Sequence, residues 1–382
     1  MSRTWKARIV TVLSALFFLA ALPAAAGAHD VVVGVNAANL TLASVAQQDA
    51  MLAQLKAAGV TVLRCNIADN MDVLSLAKRA KLSGIRLLLV LPMRYRPGAS
   101  KRAYQLDASM PIIGGYPLSS ADPAQSRAFF QELLDGLDKA GVALAGLELG
   151  NEINFSVFNP DFAVPGQGRV FNSADLVSNP GARRVAAGLE LYIKVLAALK
   201  GVRDNSRLNR NTPIILAGLV DFADGDTAFN AQKIDKVSLS ATIGFLRAHG
   251  LDSFVDVYGI HTYPNNGVKE NVEATKRRRK RFWDVTLANC QAANSTKGKP
   301  CWITEWGFAN PVSSCPLNDT DRVWRVSELR QMFAQAATEG KLTGMMYFQW
   351  NSDPGAKKPD PKGIYRCGSL TQSGRIAIAP LD

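Results

Sequence analysis

Eight apolar runs recur along the chain, and the first seven are each followed by a stretch of helical periodicity. The runs are VVVGVNAA (31–38), VTVLRCNI (60–67), IRLLLVLP (85–92), ALAGLELGNEIN (143–154), TPIILAGLVD (212–221), DVYGIHTYP (256–264), PCWITEWGFAN (300–310) and LTGMMYFQWN (342–351). Helices are predicted near 44–58, up to 83, and at 124–140, 183–200, 236–248, 272–294 and 321–339, with one short helix in the tail. Short, continuous apolar runs alternating with helices are the mark of a parallel sheet buried on both faces. A count of eight units predicts an α/β fold, the (β/α)8 TIM barrel, in a single domain. The runner-up is an open doubly wound sheet. No GxGxxG or P-loop follows any run, which weighs against it.

The extra length falls after runs 3 and 4, at 93–122 and 155–182, both rich in Pro, Gly, Asn and Arg. Long loops inside a compact domain are usually functional or disordered. In a barrel these two stand on the C-terminal face, where active sites are built.

The ends of the predicted strands carry the chemistry. Strand 1 offers Asn36; strand 2, Arg64 and Asn66; strand 3, Arg94 and Tyr95. Strand 4 offers Asn151 and Glu152, strand 6 His261 and Tyr263, strand 7 Glu305 and Trp306, and strand 8 Gln349, Trp350 and Asn351. Each alone has a plain structural reading as a salt-bridge partner, a satisfied histidine or a core aromatic. Two glutamates at the same end of strands 4 and 7 are harder to explain that way, because they cost desolvation and repel each other. A carboxyl pair without a metal cluster points first to hydrolysis of a glycosidic bond. A spacing of about 5–5.5 Å goes with retention of configuration and about 6.5–9.5 Å with inversion. Arg64 is expected to hold Glu305 ionised, while burial and the charge of Glu305 keep Glu152 protonated. Glu148, four residues before Glu152 and on the inward parity, is expected to be a second, structural carboxylate.

These motifs resemble those of clan A glycoside hydrolases, retaining (β/α)8 enzymes with the acid/base on strand 4 and the nucleophile on strand 7. LELGNEIN is similar to the strand-4 motif of the family 5, 39, 51 and 79 branches, and TEWG (304–307) to the strand-7 nucleophile motif. HTY (261–263) is similar to the strand-6 His-x-Tyr, Arg64 to the strand-2 arginine, and Trp350 to the strand-8 tryptophan. The resemblance implies Glu152 as acid/base and Glu305 as nucleophile. It implies Asn151 as the amide that binds the sugar 2-hydroxyl, with Arg64, His261, Tyr263, Trp350, Asn36 and Trp306 as further substrate-binding residues. It implies no cofactor and no metal. The chain departs from the clan pattern at Ile153, where proline usually follows the acid. It departs again at Met93 and Arg94, where several families carry a histidine.

Composition adds a compartment. MSRTWKAR, the apolar IVTVLSALFFLAALP and the small residues of AAAGAHD read as a secretory signal peptide, residues 1–28, cleaved near Ala28. An uncleaved anchor is the other reading, for which the apolar run is short. The catalytic domain is then 29–382, secreted or periplasmic, and expected to be a monomer. Five cysteines suit an oxidising compartment, with Cys290–Cys301 and Cys315–Cys367 the expected pairs and Cys65 unpaired. They form no CxxC or Cys/His cluster, so no zinc site is expected.

The formal net charge is +12, and Arg3, Lys6 and Arg8 of the leader carry three of it. A basic surface attracts anions. Behind a signal peptide, nucleic acid is not the expected partner; an oligo- or polysaccharide is, and an acidic one suits Arg94, Arg96, Lys101 and Arg102 in the third loop. The run KRRRKR (276–281) reads either as a solvated helix face or as an envelope contact. Three alternatives to hydrolysis stay open: a catalytically silent carbohydrate-binding barrel, a transglycosylase acting on envelope glucan, and an adhesion protein working through 276–281.

Overall fold

The computed structural model describes residues 31–67, 73–105, 111–223, 233–263, 272–310, 312, 314–351 and 360–381. The leader and its cleavage site lie outside these residues. Eight parallel strands close into a barrel: β1 (Val32–Asn36), β2 (Val62–Asn66), β3 (Arg86–Leu91), β4 (Gly146–Asn151), β5 (Ile214–Val220), β6 (Tyr258–Thr262), β7 (Cys301–Trp306) and β8 (Leu342–Tyr347). Each pairs with its neighbours in sequence, and β1 closes on β8 through Val32 opposite Gly344 and Val35 opposite Tyr347. The closed (β/α)8 barrel is therefore the fold, and the open doubly wound sheet is excluded.

The surrounding helices are α1 (Val45–Ala57), α2 (Val73–Leu82), α3 (Pro123–Lys139), α4 (Pro180–Arg203), α5 (Leu239–Ala248), α6 (Val272–Arg281), α7 (Thr320–Thr338) and the short α8 (Gln372–Ile378). Local signals set their starts. Ser44 and Gln47 form a capping box ahead of α1, and Asp122 caps α3 with Pro123 in its first turn. Several boundaries differ from expectation; α4, expected at 183–200, runs three residues further at each end. Lys236 and Val237 pair as a short strand with Val170 and Phe171, so α5 starts three residues late. The helix predicted to run to 294 ends at Arg281 and continues only as a π-type turn, Phe282–Thr286, and a 3-10 turn, Leu287–Asn289. Here Phe282 packs edge-on against Phe333, and the Thr286 hydroxyl donates to the buried Asp221 carboxylate at 3.0 Å.

The main core fills the space between barrel and helices. Inside the barrel, a floor of Val62, Leu88, Ile215, Trp302 and Met346 is wholly apolar. One step towards the C-terminal face, the same inward parity presents Asn36, Arg64, Glu148 and Thr304, all buried.

Both expected disulfides form, Cys290–Cys301 and Cys315–Cys367, with Cα separations of 5.5 and 5.8 Å. Cys65 is buried and free, and burial pushes its thiol up to about 12, against the pull of Arg64. The basic run turns out to be tied into the fold. Arg278 is buried against Glu328, which Arg279 also reaches, and Arg281 reaches Asp221; Lys276 and Lys280 pair with Glu273 and Asp284 on the surface. No helix among the described residues is long and apolar enough to cross a membrane.

Candidate active site

The backbone at the end of β4 sets the site. Gly150 has φ +78°, and Glu152, two residues on, has φ +46°. The left-handed region is open to glycine and costly for glutamate. The strand's alternation is broken here, and the Glu152 N–H is turned onto the Gly218 carbonyl of β5 at 3.0 Å.

Beneath the mouth, Arg64 is 1% exposed and all five of its N–H donors are taken. Nε and Nη2 grip Glu148 at 2.6 and 3.1 Å, and Nη1 reaches Asn36 Oδ1 at 2.8 Å and Glu305 Oε1 at 2.7 Å. Nη2 also donates to Asn151 Oδ1 at 3.1 Å. Burial works against its charge, but Glu148 and Glu305 more than offset that, and its pKa is raised. Glu148 is fixed in turn by the Gly218 N–H at 2.8 Å and the Thr304 hydroxyl at 3.1 Å.

Glu305, on β7, is held from two sides, by Arg64 and by the Tyr263 hydroxyl at 2.5 Å. Glu152 meets a different partner, His261 Nδ1 at 2.8 Å. The imidazole tautomer follows from its other side, where Nε2 lies 3.4 Å from Arg64 Nη2. A guanidinium only donates. Its N–H groups are spent on other partners, but an N–H on Nε2 would face this positive charge, whereas a lone pair there is favoured; Nδ1 therefore carries the proton and donates to Glu152 Oε1. That leaves Oε2 as the oxygen free to carry a proton towards the cleft. Gly218 makes room for this ring: a Cβ there would lie 1.9 Å from His261 Nε2.

One oxygen of Glu152 and one of Glu305 lie within 4.8 Å of each other. Burial raises the pKa of Glu152, opposed by His261 and reinforced by the charge of Glu305. Burial raises Glu305 as well, against Arg64 and Tyr263. The expectation that Glu305 sits below the ordinary carboxylate range is not met, because desolvation outweighs the guanidinium. The asymmetry survives, since only Glu305 has a full positive charge in contact with its oxygen. Burial holds His261 neutral by lowering its pKa, despite Glu152. Glu152, His261 and Glu305 also stand close enough to share an ion, but the guanidinium on Glu305 disfavours a second cation there.

Of the residues singled out from sequence, Glu152, Glu305, Asn151 and Tyr263 meet at the mouth. The Asn151 carboxamide oxygen is taken by Arg64, and no acceptor among the described residues meets its NH2 group, which is only half-buried. Asn36, Arg64 and His261 lie one layer down, fully buried and bonded to protein. Asn36 spends its amide on the carbonyls of Thr304, Met346 and Tyr347. Trp306 is a core residue packed edge-on against Phe333 and Tyr347. Trp350 is equally buried, its face covered by Tyr365 at 5.1 Å.

Just past β8, Phe348 is half-buried and edge-on to Tyr263 at 6.0 Å. Sequence reading passed over Phe348 in favour of the larger tryptophan two positions on. It also passed over Lys362, whose ammonium lies 5.1 Å from the centre of the Tyr263 ring. The third-loop basic cluster is partly structural, because Arg102 donates to the carbonyls of Ile113, Val157 and Asn159.

No protein-family model and no curated protein sequence matches the chain. Solved structures do. A fungal β-1,4-galactanase superposes with a TM-score of 0.51 at 14% identity, covering 91% of this chain and 93% of its own. A family 5 xyloglucanase from Paenibacillus pabuli gives 0.50 at 13%, covering 92% and 98%. The catalytic domain of GH30 xylanase C from Talaromyces cellulolyticus gives 0.50 at 12%, covering 92% and 77%. The chain has the fold of clan A glycoside hydrolases. At these identities the likeness is one of fold, so the chemistry has to be argued from the residues.

Proposed function

We propose that this protein is an exported retaining glycoside hydrolase that cleaves an O-glycosidic bond in an oligo- or polysaccharide, with Glu152 as acid/base and Glu305 as nucleophile. The observation that carries this reading is the approach of the two carboxylates to within 4.8 Å in unlike surroundings. An approach of single oxygens this close favours the shorter, retaining arrangement, with direct attack on the sugar, over the wider one that admits a water.

In the first step, a Glu305 oxygen bonds to the anomeric carbon while the bond to the leaving oxygen breaks. That oxygen takes the proton from Glu152. In the second step, Glu152, now ionised, removes a proton from water; the water oxygen bonds to the anomeric carbon and the ester to Glu305 breaks. Arg64 and Tyr263 keep Glu305 aimed and favour its charged form. The free NH2 of Asn151 suits a sugar hydroxyl beside the reacting carbon. Two disulfides and the basic leader with its apolar run support export.

The test is to incubate the protein with 2-fluoro glycosides bearing good leaving groups and to locate the adduct by peptide mass spectrometry. An ester on Glu305, absent in Glu305→Ala, is the expected result. An adduct on another residue, or inverted product by NMR from an active preparation, would overturn the assignment.

A further inference from the structure

The loop after β8 presents a cation that neither the barrel nor the chemistry above uses. Lys362 is half-buried, with its ammonium 5.1 Å from the centre of the Tyr263 ring and 5.6 Å from that of Phe348. Among the described residues no carboxylate meets it. Its backbone is held hard. Arg322, fully buried, donates through Nη1 to three successive carbonyls, Pro361, Lys362 and Gly363, at 3.3, 3.3 and 3.0 Å. Asp360 accepts from the Lys362 N–H at 2.6 Å and from Gln349 at 2.9 Å.

A lysine serving only solubility would extend into water from a loosely held loop. Here a buried arginine fixes the loop, and the ammonium rests near two aromatic rings, whose faces attract a cation. Cations held in place before the ligand arrives recognise anions with less ordering cost. The location sets the ligand. Tyr263 is the residue whose hydroxyl grips Glu305, so Lys362 stands one ring away from the group that would bond to sugar.

We propose that Lys362 recognises an anionic substituent, a carboxylate or a sulfate, on the sugar bound beside Glu305, so that the natural substrate is an acidic glycan. This rests on the glycosidase reading for its biological meaning, but the test reads binding and does not depend on turnover.

Wild type, Lys362→Met and Lys362→Arg are titrated calorimetrically with uronate-bearing oligosaccharides, their carboxyl-reduced counterparts and sulfated counterparts. The methionine keeps the aliphatic stem on the rings, so loss of packing is separated from loss of charge. Wild type should prefer an acidic ligand over its neutral counterpart by about tenfold or more. Lys362→Met should lose that preference and Lys362→Arg should keep most of it. Comparing the uronate and sulfate arms identifies the anion. Equal binding of acidic and neutral ligands by wild type, no binding of any acidic ligand, or an unchanged preference in Lys362→Met would each overturn the proposal. Failure to trap an ester on Glu305 alongside intact charge discrimination would sink the glycosidase reading and leave this one standing.

Discussion

Arg64 and Glu148 form a bidentate ion pair inside the barrel, at 2.6 and 3.1 Å, with the first 1% exposed and the second not at all. This pair supports the site from below, because the remaining donors of Arg64 run to Asn36, Asn151 and Glu305. Removing one partner of a buried pair leaves a stranded charge. Glu148→Gln is therefore expected to destabilise the protein by about 3 kcal/mol in denaturant unfolding. An effect below about 1 kcal/mol would mean that Glu305 alone satisfies the guanidinium.

Glu152→Gln should act in the opposite direction on stability while removing turnover. The folded-state pKa of Glu152 is raised, mainly by burial, so ionising it penalises the folded state. The stability of the wild type that depends on this group is present at low pH and is lost as pH rises through that raised pKa. Glutamine keeps an acceptor for His261 and never ionises. The variant should match wild type in acid and be the more stable of the two near neutral pH. Melting temperature against pH checks this; a variant that falls behind as pH rises contradicts it.

The barrel was readable from sequence because eight buried strands need eight apolar runs, and nothing in LLLV or IILAGL competes with that reading. The carboxylates at 152 and 305 stood out because two of them at the same end of the barrel cost desolvation and repel each other. Glu148 was placed inside by strand parity alone. What sequence could not supply is the direction of side chains beyond the regular strand. Trp350 sits two residues past Phe348, a difference that parity hides once the strand has ended. Lys362 reaches the site only because Arg322, forty residues earlier in the chain, pins the loop that carries it. Arg64 and His261 were placed at strand ends, but their burial under the carboxylates is a matter of depth in the barrel, which a linear pattern does not encode.

On the proposed mechanism, His261 positions Glu152 through the Nδ1 proton. His261→Ala removes the donor and leaves Oε1 without a partner, which should lower kcat by about tenfold or more. Asparagine places an N–H near the position of Nδ1. His261→Asn should therefore recover much of the rate, whereas a purely space-filling ring would not be replaced by an amide. Because the histidine hydrogen bond lowers the pKa of Glu152, its loss should move the basic limb of the kcat profile to higher pH in the alanine variant. An alanine variant with an unmoved basic limb would assign His261 to packing.

Tyr263→Phe isolates one hydroxyl on Glu305, the nucleophile of the proposed mechanism. The Tyr263 O–H donates to Glu305 Oε2 and favours its ionised form, partly offsetting the burial that pushes this carboxyl up. Without it the Glu305 pKa rises further, so a larger share of enzyme carries a protonated, unreactive nucleophile at mildly acidic pH. The acid limb of kcat/KM should move up by about one pH unit, while the basic limb, set by Glu152, stays close to its wild-type position. Well above the shifted limb, the remaining loss in kcat/KM measures how much the hydroxyl contributes to aiming Glu305. If the basic limb moves and the acid limb does not, Glu305 is the group that sets the basic limb, and the roles of the two glutamates must be exchanged.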